Sequence, residues 1–448
     1  MSFAKLNLIQ PVQKALDEEG YTIPTPIQQK AIPVILEGKD VLGCAQTGTG
    51  KTAAYAVPIL QILHENKAAA EKGKRAINSL ILTPTRELAV QIGESFTTYG
   101  KHTSLRNVVV YGGVPQQRQT DKLRKGADIL IATPGRLLDL INQKYINLHN
   151  IKILVLDEAD RMLDMGFIND IKKIIGMIPA QRQTLFFSAT MPSSIVKLAG
   201  SILTNPVRVE VVPEKSNVDA IQQSMYFVSK QNKKDLLIHL LQDKSISSAL
   251  IFTRTKHVAD KVEKFLNTAK IYAEAIHGNK SQNARQRALN NFKAKKTRVL
   301  VATDIAARGI DVDQLSHVIN YEMPDQSENY IHRIGRTGRA GLTGVAISFC
   351  DSEEKMYLRD INRIIPIPIP VNRDNPFPVD EKAEANNPRP AGRLHSNKVR
   401  FSGERHTTDE SKNNKKRWFD KKRSSGSNDK KSDQGKSKSY GRNKTRAN

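Results

Sequence analysis

Four residue patterns in this chain are suited to phosphate chemistry. The first is Asp157-Glu158-Ala159-Asp160, directly after the apolar run 153–156. A short continuous apolar run reads as a buried strand of a parallel sheet. Two carboxylates where such a strand emerges need a cation or a reacting water to answer them. An acidic helix start would also place carboxylates there. The second pattern is Ala45-Gln46-Thr47-Gly48-Thr49-Gly50-Lys51-Thr52, after the short apolar segment 40–44. Its small residues let backbone N–H groups converge on phosphate oxygens at a helix N-terminus. Lys51 can reach the β and γ phosphates, and the Thr52 hydroxyl suits Mg²⁺. Ala45 stands where the strict phosphate-loop pattern has glycine. Together the two patterns point to NTP hydrolysis, with Asp157 holding Mg²⁺ and Glu158 positioning the attacking water.

The third pattern, His332-Arg333-Ile334-Gly335-Arg336-Thr337-Gly338-Arg339, gathers three arginines and a histidine beside two glycines. An arginine supplied by a second body can answer the charge that develops on a transferring phosphoryl group. A solvated basic turn or an RNA-phosphate patch would use the same residues. The fourth is a series of polar and glycine loops after successive apolar runs. In the first half these are Pro84-Thr85-Arg86-Glu87, Gly112-Gly113, Thr133-Pro134-Gly135-Arg136 and Ser188-Ala189-Thr190. In the second half they are Thr253-Arg254-Thr255, His277-Gly278, Thr303-Asp304 and Arg308-Gly309-Ile310-Asp311.

These loops need strands to carry them. Apolar runs at 40–44, 79–82, 107–111, 128–132, 153–156 and 184–188 are separated by stretches long enough for crossover helices. A second series follows at 248–252, 272–276, 298–302, 316–320 and 345–349. The expected fold is therefore α/β, with two doubly wound parallel sheets in tandem. If the strands are parallel, the loops of each domain share one carboxyl edge, where open α/β sheets bind ligands. The expected boundaries are 1–208 for the first domain, 209–218 for a linker and 219–364 for the second domain. The stretch 206–218, with two prolines and no helical period, marks the connection. The alternating Ile-Pro run at 365–370 cannot continue a helix, so 365–448 reads as a proline-containing connector and a basic disordered tail.

At 448 residues, of which 39% are hydrophobic, the chain can build two sizeable cores. Its two cysteines make neither a disulfide framework nor a metal cluster, which suits a reducing compartment. It shows neither a signal-peptide core nor an apolar run of membrane-spanning length, so a cytoplasmic protein is expected. The net charge of +25 implies polyanionic partners. Residues 381–448 hold 20 Lys and Arg against 8 Asp and Glu, with Trp418, Phe419 and Tyr440 as isolated aromatics. That composition cannot bury a core and reads as a nonspecific RNA tether.

Taken in order, the motifs resemble those of the DEAD-box RNA helicases, most closely the bacterial RhlE-type branch. They are AQTGTGKT, PTRELA, GG, TPGR, DEAD, SAT, ATDIAARGID and HRIGRTGR. An upstream element, Gly20-Tyr21 through Gln28 with Phe3 ahead of it, completes the set, and the likeness runs from Phe3 to about Phe349. The resemblance implies two RecA-like domains and an ATP- and Mg²⁺-dependent, RNA-stimulated ATPase that acts as a monomer. It implies that Gln28 reads the adenine edge, that Tyr21 stacks on the ring beside Phe3, and that Gly309 and Asp311 reach the nucleotide. Arg336 and Arg339 become arginine fingers. Ser188, Thr190 and His332 join Asp160 in coupling hydrolysis to strand separation. RNA contacts fall to Pro84, Thr85, Arg86, Gly113, Thr133 and Arg136 on the first domain. Those on the second are Arg254, Gly278 and Thr303, positions suited to phosphate and 2′-OH contact rather than base reading. The remaining alternatives are an ATP-dependent RNA clamp, a noncatalytic RNA-binding scaffold, and a processive DNA-translocating helicase.

Overall fold

The computed structural model describes residues 2–45, 48–68, 75–211, 221–307, 315–338, 344–365 and 367–379. Gln46, Thr47, Gly309, Asp311, Arg339 and the basic tail lie outside the described residues. Met1–Glu384 forms one unit with two lobes, each built on a parallel sheet.

The first sheet has seven strands. They are β1 (Val41–Cys44), β2 (Ser79–Leu82), β3 (Asn107–Val110), β4 (Ile129–Ala132), β5 (Ile153–Leu156), β6 (Gln183–Ser188) and β7 (Val207–Glu210), arranged β3-β4-β2-β5-β6-β1-β7. The second has six: β8 (Ile221–Phe227), β9 (Ala249–Thr253), β10 (Ala273–Ile276), β11 (Val299–Thr303), β12 (His317–Asn320) and β13 (Gly344–Cys350), arranged β10-β11-β9-β12-β13-β8. Every pairing is parallel, so each sheet presents all its strand ends at one edge.

Helices cover both faces, which is why the central strands are apolar throughout. In β5, Ile153 and Val155 enter the core on one side, and Leu154 and Leu156 enter the core on the other. Pleating makes this alternation automatic. The same register brings Asp157 out at the end of β5, two strands from the end of β1.

Two strands depart from the sequence reading. Val207–Glu210 was expected to open the linker, but it pairs with β1 as an edge strand, so the first sheet continues past 208. β8 pairs with β13 over seven residues, although Gln222, Gln223 and Ser224 interrupt its apolar run. Edge strands face solvent along part of their length, so polar residues are tolerated and the apolar signal is weak. The connector after 364 also differs from expectation in its first part. Ile365 and Ile369 are buried, Met225 N donates to Pro370 O at 2.8 Å, and Asn372 N donates to Met225 O at 2.8 Å. This segment packs on β8 and so extends the second lobe. Among the described residues, no helix is long and apolar enough to cross a membrane.

Candidate active site and RNA-facing edges

The phosphate loop leaves β1 at Ala45, whose N–H donates to Ser188 O at 3.2 Å. Gly48 and Gly50 adopt positive φ of 84° and 90° and so turn the backbone into the helix Lys51–Ala68. Gly50 has a second constraint: a Cβ there would lie 2.4 Å from Gln28 Nε2. No side chain fits while Gln28 holds that place. Gln28 is buried, its Nε2 donates to Gly50 O at 3.1 Å, and its Oε1 accepts from Thr25 N at 2.9 Å. The upstream element is thereby tied to the phosphate loop. Phe3 and Tyr21 come together edge to face at 5.8 Å, and the Tyr21 hydroxyl hydrogen-bonds that of Tyr99 at 2.8 Å.

Lys51 and Asp157 are both buried, and neither Lys51 Nζ nor Asp157 Oδ1 has a hydrogen-bond partner among the described residues. Orphaned buried charges are costly, and an ammonium and a carboxylate in this arrangement suit polyphosphate and a divalent cation. Burial pushes the Asp157 carboxyl up to about 6, against the pull of Lys51. A bound cation would reverse that penalty. Thr52 is half-buried at the start of the same helix.

Glu158 sits in left-handed backbone at φ 53°, ψ 51°, which is uncommon for a residue with a side chain. Strain of this kind concentrates at functional positions. Arg161 Nη1 donates to Glu158 Oε2 at 2.8 Å, and both side chains are buried. Asp160 Oδ2 accepts from Ala189 N at 3.2 Å, Thr190 N at 2.9 Å and Thr190 Oγ1 at 2.9 Å. Ser188 Oγ donates to Thr190 O at 2.7 Å and accepts from Asp160 N at 3.3 Å. The acidic run and the Ser188-Ala189-Thr190 loop are thus one hydrogen-bonded unit.

The second lobe brings Arg336 and His332 to a narrow groove, where they face Arg161 and Asp164 of the first lobe. Arg333, also in that groove, is held inside its own lobe: Nε and Nη2 bind Asp304 at 2.6 and 2.7 Å, and Nη1 donates to Glu322 O.

Pro84, Thr85 and Arg86 follow β2, Gly113 follows β3, and Thr133 and Arg136 follow β4, so three adjacent strands deliver them to one edge. Thr85 Oγ1 accepts from Leu88 N at 3.3 Å as a helix cap. Arg86 lies on Gly113, where a Cβ would meet its guanidinium at 2.1 Å. Gly278 and Thr303 follow or end adjacent β10 and β11 in the second lobe. Arg254, at the end of β9, has its guanidinium 3.6 Å from Glu322, 3.4 Å from Glu354 and over the Tyr357 ring at 5.5 Å. Its side chain is therefore engaged within the lobe.

Several site residues escaped the sequence reading. Arg161 stands one helical turn from Glu158, a spacing at which ion pairs form. Tyr55 donates to Asp157 Oδ2 at 3.0 Å. Arg285 pairs across the lobes with Glu87. The partners of Tyr55 and Arg285 come from distant segments, so no local spacing announces them.

Known proteins place this geometry in a family. Residues 25–198 match the DEAD/DEAH box helicase model and 232–341 match the helicase conserved C-terminal domain model. The chain is 44% identical over 347 residues to the DEAD-box ATP-dependent RNA helicase RhpA of Helicobacter pylori, covering 78% of this chain and 69% of RhpA. It is 42% identical over 363 residues to CshA of Bacillus subtilis, covering 81% and 72%. Among solved structures it is similar to S. cerevisiae Dbp5 bound to RNA and ADP BeF3, with a TM-score of 0.71 and 31% identity over 86% of this chain and 97% of that one. A phosphate loop and acidic pair at one sheet edge, with arginines of a second parallel-sheet lobe lining a groove beside Arg161 and Asp164, accord with these matches: the chain belongs to the DEAD-box ATP-dependent RNA helicases.

Proposed function

We propose that the chain couples ATP hydrolysis to local separation of short RNA duplexes or to remodelling of ribonucleoprotein. The observation that carries this reading is the interlobe groove, in which Arg336 and His332 meet the helix that begins at the acidic run. Lys51 and the glycine-rich backbone hold the triphosphate, and Thr52 and Asp157 hold Mg²⁺. When bound, the ion neutralises charge on the phosphate oxygens. Glu158 orients the attacking water, with Arg161 fixing its carboxylate. Arg336, joined by Arg339, completes the site only when the lobes are together, so hydrolysis depends on closure. Gln28 favours adenine while touching the phosphate loop, and Tyr21 and Phe3 border the base.

RNA runs along the edges carrying Pro84, Thr85, Arg86, Gly113, Thr133 and Arg136 on one lobe and Arg254, Gly278 and Thr303 on the other. Short polar and glycine positions favour backbone contact, so binding is independent of sequence. The two free cysteines suit a cytoplasmic enzyme. The basic tail raises affinity for RNA without choosing a sequence.

The decisive experiment is Glu158→Gln in the full chain. RNA-stimulated ATP turnover is expected to fall at least about a hundredfold while ATP and RNA still bind. Full turnover in the variant would remove Glu158 from the chemistry. ATP binding without RNA stimulation in the native chain would favour a clamp or scaffold.

A further inference from the structure

Tyr55 belongs to none of the motifs, yet it is among the largest fully buried side chains of the protein. It lies on the helix Lys51–Ala68, one turn after Lys51 and Thr52, and so on the same helical face. Its ring packs against Phe187 at 5.5 Å and Phe96 at 6.4 Å. Phenylalanine would fill that place equally well. The hydroxyl is the feature that needs a reason, because a buried polar group is costly unless it is bonded.

Its bond is specific. The hydroxyl donates to Asp157 Oδ2 at 3.0 Å. One carboxylate oxygen of Asp157 is thereby committed, while Oδ1 has no hydrogen-bond partner among the described residues. Asp157 is assigned above to a divalent cation, and Tyr55 reaches it from a segment 102 positions away. Groups that orient metal ligands commonly govern affinity as much as the ligands do.

We propose that Tyr55 is a positioning residue that sets the Asp157 carboxylate in one orientation for Mg²⁺. This rests on the nucleotide-site reading above. It acts through Asp157 and does not touch the reacting atoms.

The test is Tyr55→Phe in the full-length chain, titrated with Mg²⁺ in the presence of a fluorescent non-hydrolysable ATP analogue. The Mg²⁺ midpoint is expected to rise about tenfold. Analogue affinity in EDTA is expected to stay within about twofold. An unchanged midpoint, or equal weakening with and without Mg²⁺, overturns the proposal and leaves Tyr55 as a core aromatic. If Tyr55→Phe does not fold, 3-fluorotyrosine at position 55 keeps the ring and changes the acidity of the donor. A shifted midpoint then supports the positioning role, and an unshifted one overturns it. A native chain whose analogue binding ignores Mg²⁺ altogether would instead sink the nucleotide-site reading.

Discussion

Glu87 and Arg285 form an ion pair at 3.0 Å across the two lobes, with side-chain exposures of 2% and 11%. Gln282 Nε2 donates to the same Glu87 carboxylate at 2.7 Å. Glu87 follows β2 in the helix Arg86–Tyr99, and Arg285 lies in the helix Gln282–Lys293 after β10. The contact therefore links the two edges assigned to RNA. Its neighbour Arg86 reaches Gln282 at 3.5 Å, at the limit of hydrogen bonding.

Arg285→Ala is expected to weaken closure. Removing one partner of a buried pair costs several kcal/mol where water stays out, but opening the lobes lets water in. A loss of about 1.5 kcal/mol, roughly tenfold in the closed population, is the expected scale. Interlobe FRET with ATP and RNA bound would measure it. An unchanged closed fraction would show that other contacts hold the lobes together.

Arg161→Ala should damage turnover through Glu158. The residue gives the carboxylate a hydrogen bond at 2.8 Å in a buried setting. Bonds to charged groups contribute about 1.5–3 kcal/mol, so kcat should fall roughly ten- to a hundredfold. ATP affinity should change much less, since Glu158 is assigned to the water. An equal loss in affinity and kcat would assign Arg161 to nucleotide binding instead.

Thr190→Val removes a hydroxyl that donates to Asp160 at 2.9 Å and leaves the shape nearly unchanged. The backbone N–H groups of Ala189 and Thr190 still bind the carboxylate. ATP hydrolysis is expected to stay within about threefold, while duplex separation per ATP falls about tenfold, because one bond to an ionised acceptor is lost. Parallel ATPase and strand-displacement assays decide the matter. Equal losses in both would mean that Asp160 and Thr190 serve chemistry and not coupling.

His317 lies at the start of β12, and its Nδ1 is 3.0 Å from Ser316 Oγ. Burial pulls its basicity below the ordinary value of 6.5, against a smaller opposing effect of Asp243. The unfolded chain thus binds this proton more readily than the folded one. The resulting stability is present above the unfolded pKa and is lost as pH falls through 6.5 toward the folded value. His317→Gln should flatten denaturant stability over the interval below about pH 7. A slope equal to that of the native chain would exclude His317 as its source.

The sequence by itself determined the central strands, because burial on both faces demands uninterrupted apolar runs such as 153–156. It also determined the phosphate loop and the acidic run, whose chemistry depends on neighbours within a few positions. Edge strands Val207–Glu210 and Ile221–Phe227 escaped it, since a half-exposed strand tolerates arginine, glutamate and glutamine. The packing of 365–379 on β8 escaped it because its prolines signal only where a helix must stop. Tertiary structure alone decided the pairings of Tyr55 with Asp157, Glu87 with Arg285 and Arg254 with Glu322 and Glu354. Sequence patterns report periodicity and local spacing. These contacts join residues separated by 68 to nearly 200 positions, and only the ordering of strands within the sheets, and of the lobes against each other, makes them neighbours.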